Sequence, residues 1–185
     1  MQVLPTTLPG VVLVELDVFG DARGRVMETF RRDRYRELGI GVGLEFVQDN
    51  WSSSGTGTLR GLHYQLHQPQ GKLVHVTRGE VFDVAVDIRA GAPSFGAWFG
   101  TVLSADNHRQ MWIPPGFAHG FLVTSEQADV TYKVTATYAP ADARAIAWND
   151  PELAIAWPLA GEPTLSARDR AAPSLRTATL PAYPR

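Results

Sequence analysis

Residues 80–88, EVFDVAVDI, change character at every position: Phe82, Val84, Val86 and Ile88 fall on one side of an extended chain, and Val81, Asp83, Ala85 and Asp87 on the other. A period of two belongs to a strand, because a helix would scatter the same side chains around its axis. Shorter runs of the same kind recur at 11–18, 72–77, 98–103, 110–113, 120–123 and 130–138, separated by turn-forming clusters such as SSSGTG, GAPSFG, SADN and PPG. Many short strands at this spacing predict an all-β antiparallel sandwich or barrel and argue against βαβ units. Helix is scarce: 33–38, stopped by Gly39, is the best candidate, with shorter turns at 151–153 and after Ser166. With no internal repeat and no linker, the 185 residues read as one domain, 1–185, with a Pro-containing tail from Pro173 expected to run over the surface.

Charge and composition exclude several classes of function. A formal charge of −2 gives no basic face for wrapping nucleic acid. The densest basic run, RRDRYR at 31–36, is interrupted by Asp33 and followed by Glu37, which suits a solvated helix face. The absence of cysteine rules out a disulfide framework and thiolate chemistry. No basic, then apolar, leader opens the chain and no apolar run reaches membrane-spanning length, so a soluble cytoplasmic protein without membrane or nucleic-acid partners is expected.

The chemistry concentrates in residues 59–75, LRGLHYQLHQPQGKLVH, which hold an arginine, three histidines and a lysine. The chain has fifteen arginines and only two lysines, Lys72 and Lys133, so a lysine here stands out from the background. A compact ammonium can be desolvated and aimed at one developing oxyanion more readily than a planar guanidinium. Lys72 follows His63 by nine residues, a spacing that lets neighbouring strands place a base and a cation around one substrate. That pair suggests proton abstraction next to a carbonyl. In VTYKVTATY (130–138), a regular strand would put Tyr132 and Tyr138 on one face with Val130, Val134 and Ala136, and Lys133 on the other. Two phenols on an apolar face suit a proton donor and an aromatic platform; either one alone would read as a core tyrosine. His67 and His75 lack supporting partners in the pattern and read as structural or exposed. All five histidines fall between His63 and His119. However, His63-Tyr64-Gln65 has glutamine where a His-x-His metal motif needs a second imidazole, and the i, i+4 spacing of His63 and His67 clusters ligands only on a helix. Neither a metal nor a nicotinamide cofactor is expected, the latter because no G-x-G-x-x-G turn is present.

LRGLHYQ, QGKLVHVTRGEVFDVAVDIR, WIPPGFAHGF, YKVTATY, IAWNDP and LSARDR occur in an order that resembles the dTDP-4-dehydrorhamnose 3,5-epimerase family, as do DARGRVMETF and FVQDNWSSS upstream. The resemblance runs from about Gly10 to about Arg170. It implies a cupin-type jelly-roll with a few short helices, a cofactor-free isomerase, a dTDP-sugar substrate and a homodimer. Carried over, it makes His63 the general base, Asp169 its orienting carboxylate, Tyr132 the general acid on the other face of the sugar, and Lys72 the group at the enolate oxygen. Tyr138 would stack on thymine, and Gln48, Asn50, Arg60 and His119 would line the sugar and pyrophosphate pocket. Arg23 and Glu28 would touch the nucleotide, either within the chain or from a partner subunit. Only the resemblance points to Asp169. Ala143 beside Asp142 stands where the family often has glutamate, Arg168 where lysine is common, and Trp51 where histidine or a smaller residue is frequent. Parity also places Arg60 and His63 on opposite faces of a regular strand unless Gly61 introduces a bulge. Alternatives are a 3- or 5-mono-epimerase of an antibiotic-sugar pathway and a nucleotide-sugar-binding jelly-roll without turnover.

Overall fold

The alternating segments build two facing antiparallel sheets in the computed structural model, which describes residues 1–183. In chain order the elements are β1 (Gln2–Leu4), β2 (Val12–Glu15), β3 (Phe19–Asp21), β4 (Gly24–Val26), α1 (Arg32–Glu37), β5 (Gln48–Gly55), β6 (Leu59–Gln65), β7 (Lys72–Arg78), β8 (Glu80–Asp87), β9 (Trp98–Ser104), β10 (Arg109–Ile113), β11 (Phe117–Val123), β12 (Gln127–Val134), β13 (Ala143–Ala145) and α2 (Ala167–Arg170). One sheet has the order β1-β2-β10-β7-β12-β5, the other β13-β6-β11-β8-β9, and β3–β4 is a separate hairpin. This is the jelly-roll sandwich that the strand pattern and the resemblance lead one to expect.

Three apolar layers hold it together. Val81 and Ala85 of β8 meet Val74, Val76, Met111, Ile113 and Val130 of the six-stranded sheet, forming the core between the sheets. The other side of β8 is also buried: Val84, Val86 and Ile88 pack with Leu153, Trp157 and Leu175 from the C-terminal segment. Val14, Leu73 and Trp112, on the outer face of the six-stranded sheet, are covered by Tyr35 and Ile40 around α1. Burial on both faces explains why β8 is so rich in Val, Ala and Phe, each fully buried aliphatic side chain contributing about 1.5–3 kcal/mol.

Several expectations need correction. The SSSGTG cluster is not a turn throughout: Ser52 to Gly55 continue β5, because Val130 to Gln127 of β12 supply strand partners in register, and the turn is confined to the residues after Gly55. The tail from Pro173 does run over the surface of the sheet, but as packing: Leu175 is buried and its N–H donates to Asp150 Oδ2 at 2.8 Å. The β1 strand, the β3–β4 hairpin and β13 are too short to show a period. Gly39, at φ +80, ends α1 as expected, with the Ile40 N–H donating to the Tyr35 carbonyl. No helix among the described residues is long and apolar enough to cross a membrane.

Candidate active site

Inner faces of both sheets open into a cavity of about 370 Å³. The six-stranded sheet contributes Gln48, Asn50 and Ser52 of β5, Lys72 of β7 and Tyr132 of β12, and the five-stranded sheet contributes Arg60 and His63 of β6 with His119 and Phe121 of β11. The hydroxyl of Tyr132 and the imidazole of His63 thus approach from opposite walls.

A bulge places the β6 residues. His119 pairs with His63 and Phe121 with Arg60, so three steps along β6 match two along β11. The extra residue lets Arg60 and His63 serve one cavity although strict alternation would separate them. Gly61 makes this possible: its φ is +124, and a Cβ there would lie 2.6 Å from Gly120 Cα and 2.7 Å from the His119 carbonyl. The Gly61–Leu62 peptide is cis.

His63 Nε2 lies 2.5 Å from Asp169 Oδ1. A carboxylate only accepts, so Nε2 carries the proton and Nδ1 is left as the basic nitrogen. Asp169 sits in α2, where Ser166 caps the helix by accepting from the Asp169 N–H at 3.1 Å. Burial pushes the Asp169 carboxyl up, but its bond to His63, the His63 charge and the Ser166 and Gly61 donors outweigh this and hold it below the usual range. Lys72 is buried, with Nζ donating to the His63 carbonyl at 3.1 Å. Desolvation lowers its pKa to about 8 and the Asp83 carboxylate resists the fall. Burial also raises the Tyr132 phenol, keeping it protonated, although Arg60 pulls the other way. His119 is held through Nε2 by both oxygens of Asp83, at 3.0 and 2.9 Å, and burial favours its neutral form.

Tyr138 reaches the same cavity without the strand that parity predicts, since β12 ends at Val134. Side-chain amides replace the missing strand partner. Gln65 donates to the Thr137 and Gln68 carbonyls at 3.2 and 2.8 Å and accepts from the Ala139 N–H at 2.8 Å. Gln48 accepts from the Tyr138 N–H at 2.9 Å. Lys133 does point away, to Asp49 at 3.0 Å.

The matching family model is that described as dTDP-4-dehydrorhamnose 3,5-epimerase, and it spans residues 5–177. A dTDP-4-dehydrorhamnose 3,5-epimerase of Pseudomonas aeruginosa is 55% identical over 170 residues, covering 92% of this chain and 93% of the relative. One from Salmonella typhimurium is 51% identical over 181 residues, covering 97% and 98%. Among solved structures, the Legionella pneumophila dTDP-6-deoxy-D-glucose-3,5-epimerase in complex with dTDP-4-keto-L-rhamnose superposes with a TM-score of 0.96 at 50% identity, covering 100% of this chain and 99% of that one. The chain belongs to the dTDP-4-dehydrorhamnose 3,5-epimerase family.

Of the residues that family membership leads one to examine, Gln48, Asn50, Arg60, His63, Lys72, His119, Tyr132 and Tyr138 line the cavity and Asp169 stands behind His63. Arg23 and Glu28 do not line it. Arg23 projects from the β3–β4 turn, paired with Asp21, and Glu28 is paired with Arg31 and Arg34. Sequence reasoning missed Ser52, whose buried Oγ has no hydrogen-bond partner among the described residues, although parity with Gln48 and Asn50 on β5 would have found it. It also missed Gln65 and Gln70 as lining residues; Arg168 lines the cavity as well. His67 does have a partner: its Nδ1 meets Asp142 at 2.7 Å, and Asp142 also accepts the Gln68 N–H at 2.8 Å, so Asp142 is occupied in the loop while Ala143 faces the cavity. His75 is buried on the outer face of the six-stranded sheet. There a larger hollow of about 690 Å³ lies against Arg25, Met27 and Trp51, away from the His63–Asp169 pair. Among the described residues, no three His, Asp or Glu side chains are arranged to hold a metal ion.

Proposed function

We propose that this protein epimerises dTDP-4-dehydro-6-deoxyglucose at C3 and C5 to dTDP-4-dehydro-L-rhamnose, a step of dTDP-L-rhamnose biosynthesis, using its own side chains and no cofactor. The observation that carries the reading is His63 on one sheet, backed by Asp169 of α2, facing Tyr132 on the other sheet, with buried Lys72 beside them. C3 and C5 both lie α to the C4 ketone, so removing either proton gives an enolate. His63 Nδ1 takes the proton, and Asp169 steadies the imidazolium that forms. The Lys72 ammonium stabilises the charge on O4, in a site dry enough for that interaction to be strong. Tyr132 returns a proton from the opposite side, which inverts the carbon. No electrons leave the substrate, so the chemistry calls for no redox partner. Arg60 and Arg168 suit the pyrophosphate, and Tyr138, 53% exposed at the rim, suits the thymine.

We also propose a homodimer. Phe19, Val26 and Trp51 are 65%, 71% and 64% exposed, an unusual apolar display near the outer hollow, and a second copy would cover it. The side chain of Arg23, 90% exposed, would then reach the partner's nucleotide together with Glu28. The activity is tested by incubating the protein with dTDP-4-dehydro-6-deoxyglucose after exhaustive chelation and following the sugar by NMR. Formation of dTDP-4-dehydro-L-rhamnose is expected; an unchanged substrate, or turnover only after a metal is restored, would overturn the reading.

A further inference from the structure

We infer that Asp83 is a positioning residue for the proposed epimerisation, fixing His119 as a hydrogen-bond acceptor toward the sugar and keeping the Lys72 ammonium protonated. The inference rests on the epimerase reading above. Asp83 occupies an inward position of β8, between Val81 and Ala85 in an otherwise apolar layer, and has no accessible surface. An ionisable group in such a place is costly unless it is paired. Its two oxygens converge on one atom, His119 Nε2. Because the carboxylate accepts, Nε2 must donate, and neutral His119 is left with a lone pair at Nδ1. A cavity-lining imidazole held in this tautomer can receive a hydroxyl proton from the sugar but cannot donate to O4. The donor role at the ketone then falls to Lys72.

Lys72 needs a countercharge to fill that role. It is 6% exposed, donates to a carbonyl, and forms no ion pair among the described residues. Charged and titratable groups around its cavity are His63 and Arg60 on β6, His119 on β11, Tyr132 on β12, Tyr138 in its loop and Arg168 on α2, with Asp83 of β8 behind His119, while its β10 partner is Ile113. The remaining nearby carboxylate, Asp169, is occupied by His63. Lys72 Nζ donates to the His63 carbonyl, His63 pairs with His119 across β6 and β11, and His119 holds Asp83, so Asp83 is the anion on the lysine's own side of the cavity and favours its charged form. One buried carboxylate thus sets the tautomer of one cavity group and the charge of another.

With only two lysines in the chain, the test is clean. Full-length protein labelled with 13Cε-lysine gives two signals, and Lys133, paired with Asp49 on the outer face, serves as the internal reference. Asp83→Asn preserves shape and removes the charge. It should lower the Lys72 titration by about 1–3 pH units, the usual effect of losing a nearby opposite charge. The alkaline limb of kcat/KM should move down with it, leaving the Lys133 signal in place. At pH 8 the variant should lose about four- to sixteen-fold more activity than at pH 6.5, the range that a fall of one to three pH units from about 8 gives for the protonated fraction of Lys72. An unmoved Lys72 titration in folded Asp83→Asn, or an equal loss at every pH, would overturn the inference. If that variant does not fold, 15N-histidine spectra of the unaltered protein decide: His119 as the Nε2–H tautomer supports the inference, and the Nδ1–H tautomer refutes it. These spectra do not depend on turnover, so failure of the epimerase reading would appear separately, as normal titrations without product.

Discussion

His63 has one nitrogen committed to Asp169, which leaves the other free to take a proton, while the Tyr132 hydroxyl waits on the opposite wall. The two groups should therefore fail differently. His63→Ala should abolish both epimerisation and solvent exchange at the α carbons, a loss of at least about 10²–10⁴-fold, measured by NMR in deuterated water. Tyr132→Phe should cripple epimerisation yet keep some exchange with retention, because His63 can still remove a proton and return deuterium from its own side. Equal loss of both processes in Tyr132→Phe would contradict its assignment as the opposite-face acid. His63→Ala also leaves Asp169 buried without its partner, so urea unfolding must show that the variant is folded before its activity is interpreted.

Between strands, the bulge at Gly61 is the device that brings Arg60 and His63 to one cavity. Gly61→Ala would combine a positive φ with a Cβ pressed against the β11 backbone, and should cost about 1–3 kcal/mol, read from the urea midpoint, together with most of the activity. The loop clasp makes a pH prediction. Burial alone would raise Asp142, but the Gln68 and His67 N–H donors and the His67 ring bring its pKa from 3.8 down to about 2. A carboxylate depressed on folding adds stability that is complete above 3.8 and disappears as pH falls through about 2. Asp142→Asn should accordingly flatten the slope of stability against pH between these values, measured by thermal unfolding; an unchanged slope would show the clasp to be inert. These devices also mark what the sequence reveals. The alternation of β8, the stop at Gly39 and the pairing of Lys72 with His63 are local patterns and can be read directly. Strand parity sets Tyr138 on the face of Tyr132, but β12 ends at Val134, and Gln48 and Gln65, not a continued strand, carry the Tyr138 loop to the cavity. Asp169 lies 106 residues from His63, and no period or spacing links them; only the family pattern does.

For the molecule as a whole, the sandwich leaves Phe19, Val26 and Trp51 exposed and Arg23 without a cavity of its own. Light scattering at micromolar concentration should return twice the chain mass, and Arg23→Ala should raise KM for the dTDP-sugar several-fold while leaving the unfolding midpoint unchanged. A monomer with full activity would refute the assembly. In the proposed mechanism both sheets, the bulge, the capped α2 helix and the buried lysine serve one event, proton removal on either side of a ketone. The most direct test is to incubate the unaltered, metal-stripped protein with dTDP-4-dehydro-6-deoxyglucose in deuterated water and count the deuterated positions. Deuterium at both C3 and C5, with inverted configuration at each, is the predicted result. Deuterium at one carbon would make the protein a mono-epimerase, and deuterium at neither would contradict acid–base epimerisation altogether.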